Sequence, residues 1–310
     1  MTPIVSLAIS FVLGALAPVP RGHMGGLAPV PAPGDSFAQA RQTDTRNREV
    51  YVSVVDGSGK AAQGLTVEDF SVREDGVARE VVKVEPATDP LTISVLVDDS
   101  QAATDAIPYL RDGLKSFVER LNGKAEIALA TIGERPTSIV DYTTSTEALN
   151  KAIGRIFARP GSGAYLLEGI FEVSRGLQRR EAKRPVIVAL TMEGVEFSNR
   201  YYEPVLDDLK KSGATLHVLA IGTPSDSQAD EMRNRNIVIA EGTQRTGGRR
   251  DQLLSVTSIN DKLKQLADEL LNQYVVTYAR PETLIPPEKM DVSVKRRGLT
   301  ARARTRTAGR

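Results

Sequence analysis

Apolar runs alternate with amphipathic segments through the middle of the chain. Four aliphatic runs, at Leu91–Val97, Ala125–Ile132, Pro185–Thr191 and Ala214–Ile221, predict buried strands. Apolar residues at three- to four-residue spacing predict helices around Leu110–Leu121, Leu149–Ile156, Leu166–Leu177, Val205–Leu209 and Ile259–Leu271. Strands that alternate with helices predict an α/β fold with a doubly wound, mostly parallel sheet. Because the strands are apolar at nearly every position, we expect helices on both faces of that sheet.

The two flanks of this region have strand-like patterns instead. On the N-terminal side, Glu49–Val55, Phe70–Glu74 and Val77–Val84 predict strands, and Asp75-Gly76 between the last two is a strong hairpin signal. On the C-terminal side, strands are predicted at Tyr274–Tyr278, Met290–Val294 and Leu299–Thr305, with a loop at 281–287. We therefore divide the chain into a small β module (48–88), an α/β domain (89–272) and C-terminal strands (273–307) that pack with the β module.

The sequence of residues 1–40 predicts a signal-peptide-like or disordered, Pro-rich leader segment. The apolar run from Ile4 to Ala17 is shorter than the ~20 residues that a membrane-spanning helix needs, so no integral membrane span is expected. It fits the apolar part of a secretory signal peptide, although no Lys or Arg precedes it. A Pro-rich stretch follows and predicts an extended linker. We expect a secreted or periplasmic protein; a disordered leader or a mis-set start codon is the alternative.

The composition and net charge reduce the number of functions that the chain could have. The formal net charge is +1, so general attraction to nucleic acid is not expected. The chain has no Cys and only two histidines, His23 in the leader and His217 within an apolar strand. A lone strand histidine is expected to pack or hydrogen-bond rather than catalyse. Since no base is available for Ser-His-Asp or Cys-His catalysis, the prediction is a protein that is not an enzyme.

The first predicted strand of the α/β domain ends in Asp98, Asp99 and Ser100. A parallel strand delivers such side chains to the C-terminal edge of a sheet, where ligand sites form. Oxygen ligands of this type suit Mg²⁺. The alternative is structural, because Asp and Ser also satisfy free backbone N–H groups ahead of a helix. The structural interpretation is preferred, because the family resemblance described next implies a depleted set of oxygen ligands.

Several segments together resemble the bacterial VWFA-related proteins, which carry a von Willebrand factor type A domain. The resemblance covers roughly residues 48–305, and no single segment of it is specific. The matching segments are Gly64–Phe70, Glu74–Gly76, Pro90–Ser100, Glu126–Ile132, Val186–Glu196, Gln273–Tyr278 and Val292–Arg304. The resemblance implies a von Willebrand factor A-like fold and an adhesion-type function.

The family's metal-ion-dependent adhesion site uses Asp-x-Ser-x-Ser, a Thr and an Asp from three loops. Asp98 and Ser100 match the first two positions, but Ala102 stands at the third. Ala164 stands at the threonine position, and Met192 at the last position unless Glu193 replaces it by a one-residue shift. The resemblance therefore implies a degenerate site, at which Asp98, Ser100 and Glu193 would hold Mg²⁺ weakly if at all.

The predicted function is a non-enzymatic protein-interaction module. Its surface would be the loops at the C-terminal edge of the strands, with metal dependence weakened or lost. The candidate contact residues are Asp99, Gln101, Tyr165, Arg200, Tyr201 and Tyr202. One alternative is Mg²⁺-dependent adhesion, or metal-assisted hydrolysis, at Asp98, Ser100 and Glu193.

Another alternative is an envelope structural protein that binds anionic polymer. Arg302, Arg304 and Arg306 alternate with small residues, so they would share one face of the last strand. The preferred interpretation of this face is a solvated edge strand whose charges prevent aggregation.

Overall fold

The computed structural model describes residues 47–224, 226–280 and 287–306. The predicted leader at residues 1–40, with His23, lies outside the described residues. So do residues 281–286 of the predicted C-terminal loop and residue 307 at the end of the predicted C-terminal strands.

Strands and helices follow one another in the order that the hydrophobic pattern predicts for an α/β protein. The strands are β1 (Asn47–Asp56), β2 (Phe70–Glu74), β3 (Val77–Arg79), β4 (Val81–Pro86), β5 (Leu91–Val97), β6 (Ala125–Thr131), β7 (Thr137–Thr143), β8 (Arg184–Met192), β9 (Thr215–Ile221), β10 (Arg250–Leu253), β11 (Tyr274–Ala279), β12 (Met290–Val294) and β13 (Leu299–Ala303). The α-helices are α1 (Ile107–Arg120), α2 (Thr146–Ile153), α3 (Leu166–Arg180), α4 (Tyr202–Ser212), α5 (Asp230–Thr246) and α6 (Ile259–Leu271). Short 3-10 helices lie at 67–69, 101–106 and 256–258.

A six-stranded sheet forms the centre of the α/β region, in the order β10-β9-β8-β5-β6-β7. Every neighbouring pair is parallel except β6 and β7, which are antiparallel. β5 therefore lies in the middle of the sheet, between β8 and β6. The prediction of a doubly wound, mostly parallel sheet is confirmed.

Helices cover both faces of the sheet, as the apolar strands predict. Alternate side chains of β5 belong to different cores: Ile93 and Val95 pack in one, and Leu96 packs in the other. The first core includes apolar residues of α1, α2 and α6, and the second includes those of α3, α4 and α5. Because both faces are buried, β5 and β8 are buried at every position.

The flanking strands form two antiparallel sheets. One has the order β13-β1-β11-β4 and the other has the order β12-β2-β3. The hairpin at Asp75-Gly76 is confirmed, since both residues have positive φ, 48° and 82°, as a primed turn between β2 and β3 requires. Strands from before and after the α/β region thus share both sheets.

The hydrophobic pattern does not predict three of the elements, and one predicted strand is wrong. The helix α5, the antiparallel edge strand β7 and the short β10 have no clear apolar signal. The predicted strand Val77–Val84 is two strands, because β3 pairs with β2 whereas β4 pairs with β11 in the other sheet. Among the described residues, no helix combines the length and the apolar character needed to cross a bilayer.

Candidate functional site

Three loops meet beyond the C-terminal edge of the central strands. The first loop (98–102) follows β5, the second (159–165) precedes α3, and the third (192–198) follows β8. The first and second are joined because the Gln101 N–H donates to the Ser162 carbonyl oxygen (3.4 Å). The second and third are joined by a parallel bridge between Ala164 and Glu196. These contacts hold the three loops in one surface.

The Asp98 carboxylate is buried and serves the backbone. One of its oxygens accepts the N–H of Ser100 (2.9 Å) and the other accepts the N–H of Met192 (2.8 Å). Burial raises the pKa of Asp98, and the hydrogen bonds from Met192 and Ser100 act against that rise. Asp98 therefore ties the first loop to the end of β8.

Asp99 is buried as well and ties the first loop to two other segments. Its Oδ1 accepts the N–H of Gly133 (2.7 Å), and its Oδ2 accepts Nε–H of Arg159 (2.8 Å). The Arg159 guanidinium also pairs with Glu134 (3.0 Å). Asp99 was predicted as a partner contact, but its carboxylate is 97% shielded and is engaged within the chain.

Replacing Gly133 with alanine should disturb this arrangement. A Cβ atom there would lie 2.6 Å from Asp99 Oδ1 and 2.8 Å from the Ser100 nitrogen, so the first loop would have to move. We expect Gly133→Ala to lower the free energy of unfolding by about 1–3 kcal/mol, measured by denaturant titration. Gly176→Ala is the control, because Gly176 lies within α3 and a Cβ atom on it would meet no neighbouring atom within 4 Å. That change should raise stability by about 0.5–1 kcal/mol; equal behaviour of both variants would contradict the role given to Asp99.

Ala102 and Ala164 lie in close contact with the third loop. Gly194 of the third loop packs so closely that a Cβ on it would lie 2.8 Å from the Ala102 methyl group. Ala164 is buried, and its N–H and carbonyl bond the backbone of Val195 and Phe197 (2.9 and 2.7 Å). These contacts join the first and second loops closely to the third.

Glu193 is paired with a buried arginine. Its Oε2 lies 3.3 Å from Arg235 Nη1, and both side chains are almost fully buried, with 3% and 1% exposed. Arg235 comes from α5 and also donates to the carbonyl oxygen of Met192 (3.2 Å). The sequence did not single out Arg235, because α5 carries no clear apolar stripe to mark its inward face.

Glu196 is the second carboxylate beside Arg235. Its Oε2 lies 4.0 Å from Arg235 Nε, while its Oε1 accepts the N–H of Ser198 (3.3 Å). Burial raises the pKa of Glu196 to about 7, and the Arg235 charge opposes that rise. The guanidinium therefore provides an internal positive charge behind the third loop.

The carboxylates of the expected metal site are engaged within the chain. Each oxygen of Asp98 accepts a backbone N–H, and Glu193 pairs with Arg235. Across the described part of the chain, no group of three or more Asp, Glu or His side chains is arranged to hold a metal. The structure brings Asp98 and Ser100 together, as the motif implies, but Glu193 does not complete a ligand set with them.

The other predicted contact residues lie on or beside the three loops. Gln101 is exposed, and its Oε1 accepts the N–H of Gly161 (2.8 Å). Tyr165 packs edge-on against Phe197, with ring centroids 6.1 Å apart. Arg200 pairs with Glu168 and lies 3.7 Å from the centre of the Phe171 ring. These three side chains therefore make contacts within the chain that stabilise the loop surface, and they also lie at its edge.

Exposed apolar side chains are concentrated at this end of the sheet. Tyr201 is the most prominent predicted contact, with 74% of its surface exposed, while Tyr202 begins α4 and is partly buried. Sequence reasoning missed the other members because isolated apolar residues in loops carry no periodic signal. The exposed large apolar residues that follow the C-terminal ends of strands, or lie in the loops beside them, are Phe157, Val195, Phe197, Tyr201 and Leu254. We call these five residues the apolar rim.

Two of the three arginines predicted on the last strand, Arg302 and Arg304, are not fully solvated charges, contrary to the preferred interpretation, and only Arg302 lies within β13. β13 does lie at the edge of its sheet. However, Arg302 pairs with the buried Glu269 (2.6 Å), and Arg304 donates to the carbonyl oxygen of Gly213. Arg306 alone of the three is classed as exposed. The packing of the edge against the α/β region is the physical reason for this difference.

His217 is packed inside the sheet, as predicted. It is fully buried, and burial lowers its pKa to about 4. It lies on β9, away from the three loops, and has no part in the site.

An open, mostly parallel sheet with helices on both faces and a carboxylate-bearing loop after its central strand defines the class of von Willebrand factor A-like folds. The family model of the von Willebrand factor type A domain matches residues 92–269, which is more than half of the chain. The chain belongs to this family. No curated protein sequence matches it.

Solved structures of the same fold are distantly similar. A von Willebrand factor type A protein from Catenulispora acidiphila is 11% identical, with 85% of this chain and 74% of that chain covered and a TM-score of 0.48. Proximal thread matrix protein 1 from the mussel byssus is 16% identical, with 64% and 49% covered and a TM-score of 0.49. The pilus adhesin SpaC from Lactobacillus rhamnosus GG is 13% identical, with 77% and 42% covered and a TM-score of 0.47. The chain thus spans about half or less of the last two proteins.

Proposed function

We propose that the protein is an exported, non-enzymatic interaction module that binds a protein partner through the three loops without a metal ion. The observation that carries this proposal is the apolar rim beside loops whose aspartates are hydrogen-bonded within the chain. Exposed apolar side chains grouped at one end of a molecule mark interaction surfaces. Aromatic residues and arginine are also the side chains that contribute most often to binding energy in such surfaces.

The internal bonds support a preformed surface. Asp98 and Asp99 join the first loop to the third loop, to Gly133 and to the second loop. A surface that is already ordered loses less conformational entropy when a partner binds. The same bonds leave no carboxylate oriented to complete a metal–partner bridge, which favours direct apolar recognition.

Metal-assisted hydrolysis is less well supported by this geometry. That chemistry needs a held metal ion or a free general base close to the reacting group. At the three loops, the four carboxylates Asp98, Asp99, Glu193 and Glu196 are all buried, and each accepts a hydrogen bond or pairs with an arginine within the chain. We therefore retain the interaction module as the function.

Substitutions in the apolar rim should abolish partner capture. We expect Tyr201→Ser and Phe197→Ser each to reduce capture from a cell extract about tenfold or more, the size of effect seen at central aromatic contacts. Envelope and cytoplasmic fractions are tested separately, and capture from the envelope fraction is expected because the proposal includes export. Bound proteins are identified by mass spectrometry.

Val77→Ser is the matched control for these variants. Val77 is 55% exposed but lies on β3, outside the three loops. It removes an exposed apolar side chain without touching the rim, so capture should be unchanged. Equal loss with Val77→Ser and Tyr201→Ser would contradict the assignment of the binding surface.

A further inference from the structure

A second concave site lies at the other end of the central sheet. It is a cleft of about 440 Å³, where β8 and β9 begin and where β1, β11 and β12 pack against them. A volume of this size is within the range of small-molecule sites. The cleft shares no lining residue with the three loops, so it is independent of the surface proposed above.

The cleft is lined by an excess of positive charge. Its cationic lining residues are Arg48, Lys183, Arg184, Arg280 and Arg304. Glu49 is the one carboxylate among the lining residues that the structure describes. Two more carboxylates lie close by: Glu74 is 3.5 Å from Arg280, and Asp89 is 4.0 Å from Lys183. Among the described residues, the cations that line the cleft outnumber the carboxylates that line it or lie close to it.

Arg184 is a buried cation that bonds only neutral groups. Its guanidinium donates to the Gln273 side-chain oxygen (2.7 and 3.1 Å) and to the carbonyl oxygens of Leu270, Ala87 and Asp89. Burial lowers its pKa to about 10, because the charged form loses solvation there, and the nearby Tyr51 and Asp89 side chains act against that fall. A charge placed in this way is stabilised by any anion that enters the cleft.

Arg304 also lines the cleft and is partly buried. It donates to the carbonyl oxygen of Gly213, and no carboxylate of the described residues lies within ion-pairing distance of it. Burial lowers its pKa, with no neighbouring charge acting to raise it. A guanidinium presents five donors in a planar fork, and a single carbonyl oxygen leaves most of them available.

We propose that this cleft binds a small molecule that carries at least two negative charges as phosphate or carboxylate groups. Arg184 and Arg304 would stabilise the anionic groups, since guanidinium forks match both chemistries in a bidentate manner. Val50, Met290 and the Tyr51 and Tyr278 rings would contact the apolar body of the ligand. Arg48 and Lys183 lie at the exposed part of the lining, where they would attract the anion.

Isothermal titration of the intact protein tests this proposal. The probes are pyrophosphate and citrate, in metal-free buffer at low ionic strength; the stronger of the two identifies the preferred anionic group. Saturable one-site binding of at least one probe is expected. Arg304→Met should weaken it about tenfold or more, as expected for the loss of a charge-assisted hydrogen bond. Arg306→Met, two residues along the same segment and outside the cleft lining, should leave the affinity within about twofold.

Arg48→Gln is a second variant that still tests the proposal if Arg304→Met does not fold. Arg48 is exposed, so its replacement should leave the fold intact while it weakens binding about two- to fivefold. The absence of saturable heat with both probes at millimolar concentration would overturn the proposal. Equal weakening by Arg306→Met and Arg304→Met would also overturn it, since the attraction would then be a general effect of surface charge.

Discussion

Replacement of Arg235 with methionine should lower the free energy of unfolding by about 3–5 kcal/mol, the cost of breaking a buried ion pair by removing one partner. Arg235 is 1% exposed and is the only cation within ion-pairing distance of Glu193 and Glu196 among the described residues. Without it, two carboxylates would remain buried in a region with few other donors. The change is measured by denaturant titration at pH 8, where the ionised carboxylates are favoured.

Arg233→Met is the matched control for this prediction. Arg233 lies on the same helix, is 63% exposed and pairs only with Asp230. Its replacement should change stability by no more than about 0.5 kcal/mol. Similar losses for the two variants would show that the effect comes from α5 as a helix and not from the buried charge.

A triple variant separates charge from packing. Glu193→Gln, Glu196→Gln and Arg235→Met together remove all three charges and retain most of the side-chain volume. Replacing a buried ionic group as a whole is often neutral or stabilising, so we expect most of the loss to be recovered. A triple variant as unstable as Arg235→Met alone would mean that the guanidinium acts mainly through packing and hydrogen bonds.

The pH dependence of stability should change when Glu196 is replaced with glutamine. The pKa of Glu196 is raised from 4.5 to about 7 in the folded protein, so the folded state binds this proton more tightly than the unfolded state does. The stabilisation from this group is fully present below about pH 4.5 and is lost as the pH rises through about 7. A shift of this size corresponds to about 3 kcal/mol.

The measurement is the difference in unfolding free energy between the native protein and Glu196→Gln. His217 acts in the opposite direction, since its lowered pKa makes the folded state bind its proton less tightly. Subtraction removes this contribution because His217 is present in both proteins. The native protein should lose stability relative to Glu196→Gln between about pH 4.5 and 7; a constant difference across that window would contradict the assignment.

The elements that the sequence predicts best are those whose periodicity is set by burial on both sides. β5 begins and ends where its apolar run predicts, because every position of it is buried. α5 was missed because its inward face includes Arg235, Gly242 and Thr243. The threonine hydroxyl bonds the carbonyl oxygen of Ile239 within the helix, so the buried residue is polar without being unsatisfied.

The candidate site was predictable in position but not in detail. Parallel strands bring their C-terminal ends to one edge, so Asp98 and Glu193 could be placed near each other from the sequence. The direction of the Glu193 carboxylate depends on Arg235, which lies 42 residues further along the chain. Asp99 was predicted as a partner contact because nothing in the sequence marks Arg159, which lies 60 residues further along the chain, as its ion-pair partner.

The most direct test of metal-independent recognition is partner capture measured in EDTA and again in millimolar Mg²⁺. The same bound protein is quantified in both buffers for the native chain and for Asp98→Asn, which keeps the shape of the side chain. The internal bonds of Asp98 and the pairing of Glu193 with Arg235 predict equal capture by the native chain in the two buffers. Capture that EDTA abolishes, that Mg²⁺ restores and that Asp98→Asn prevents would contradict this account of the site.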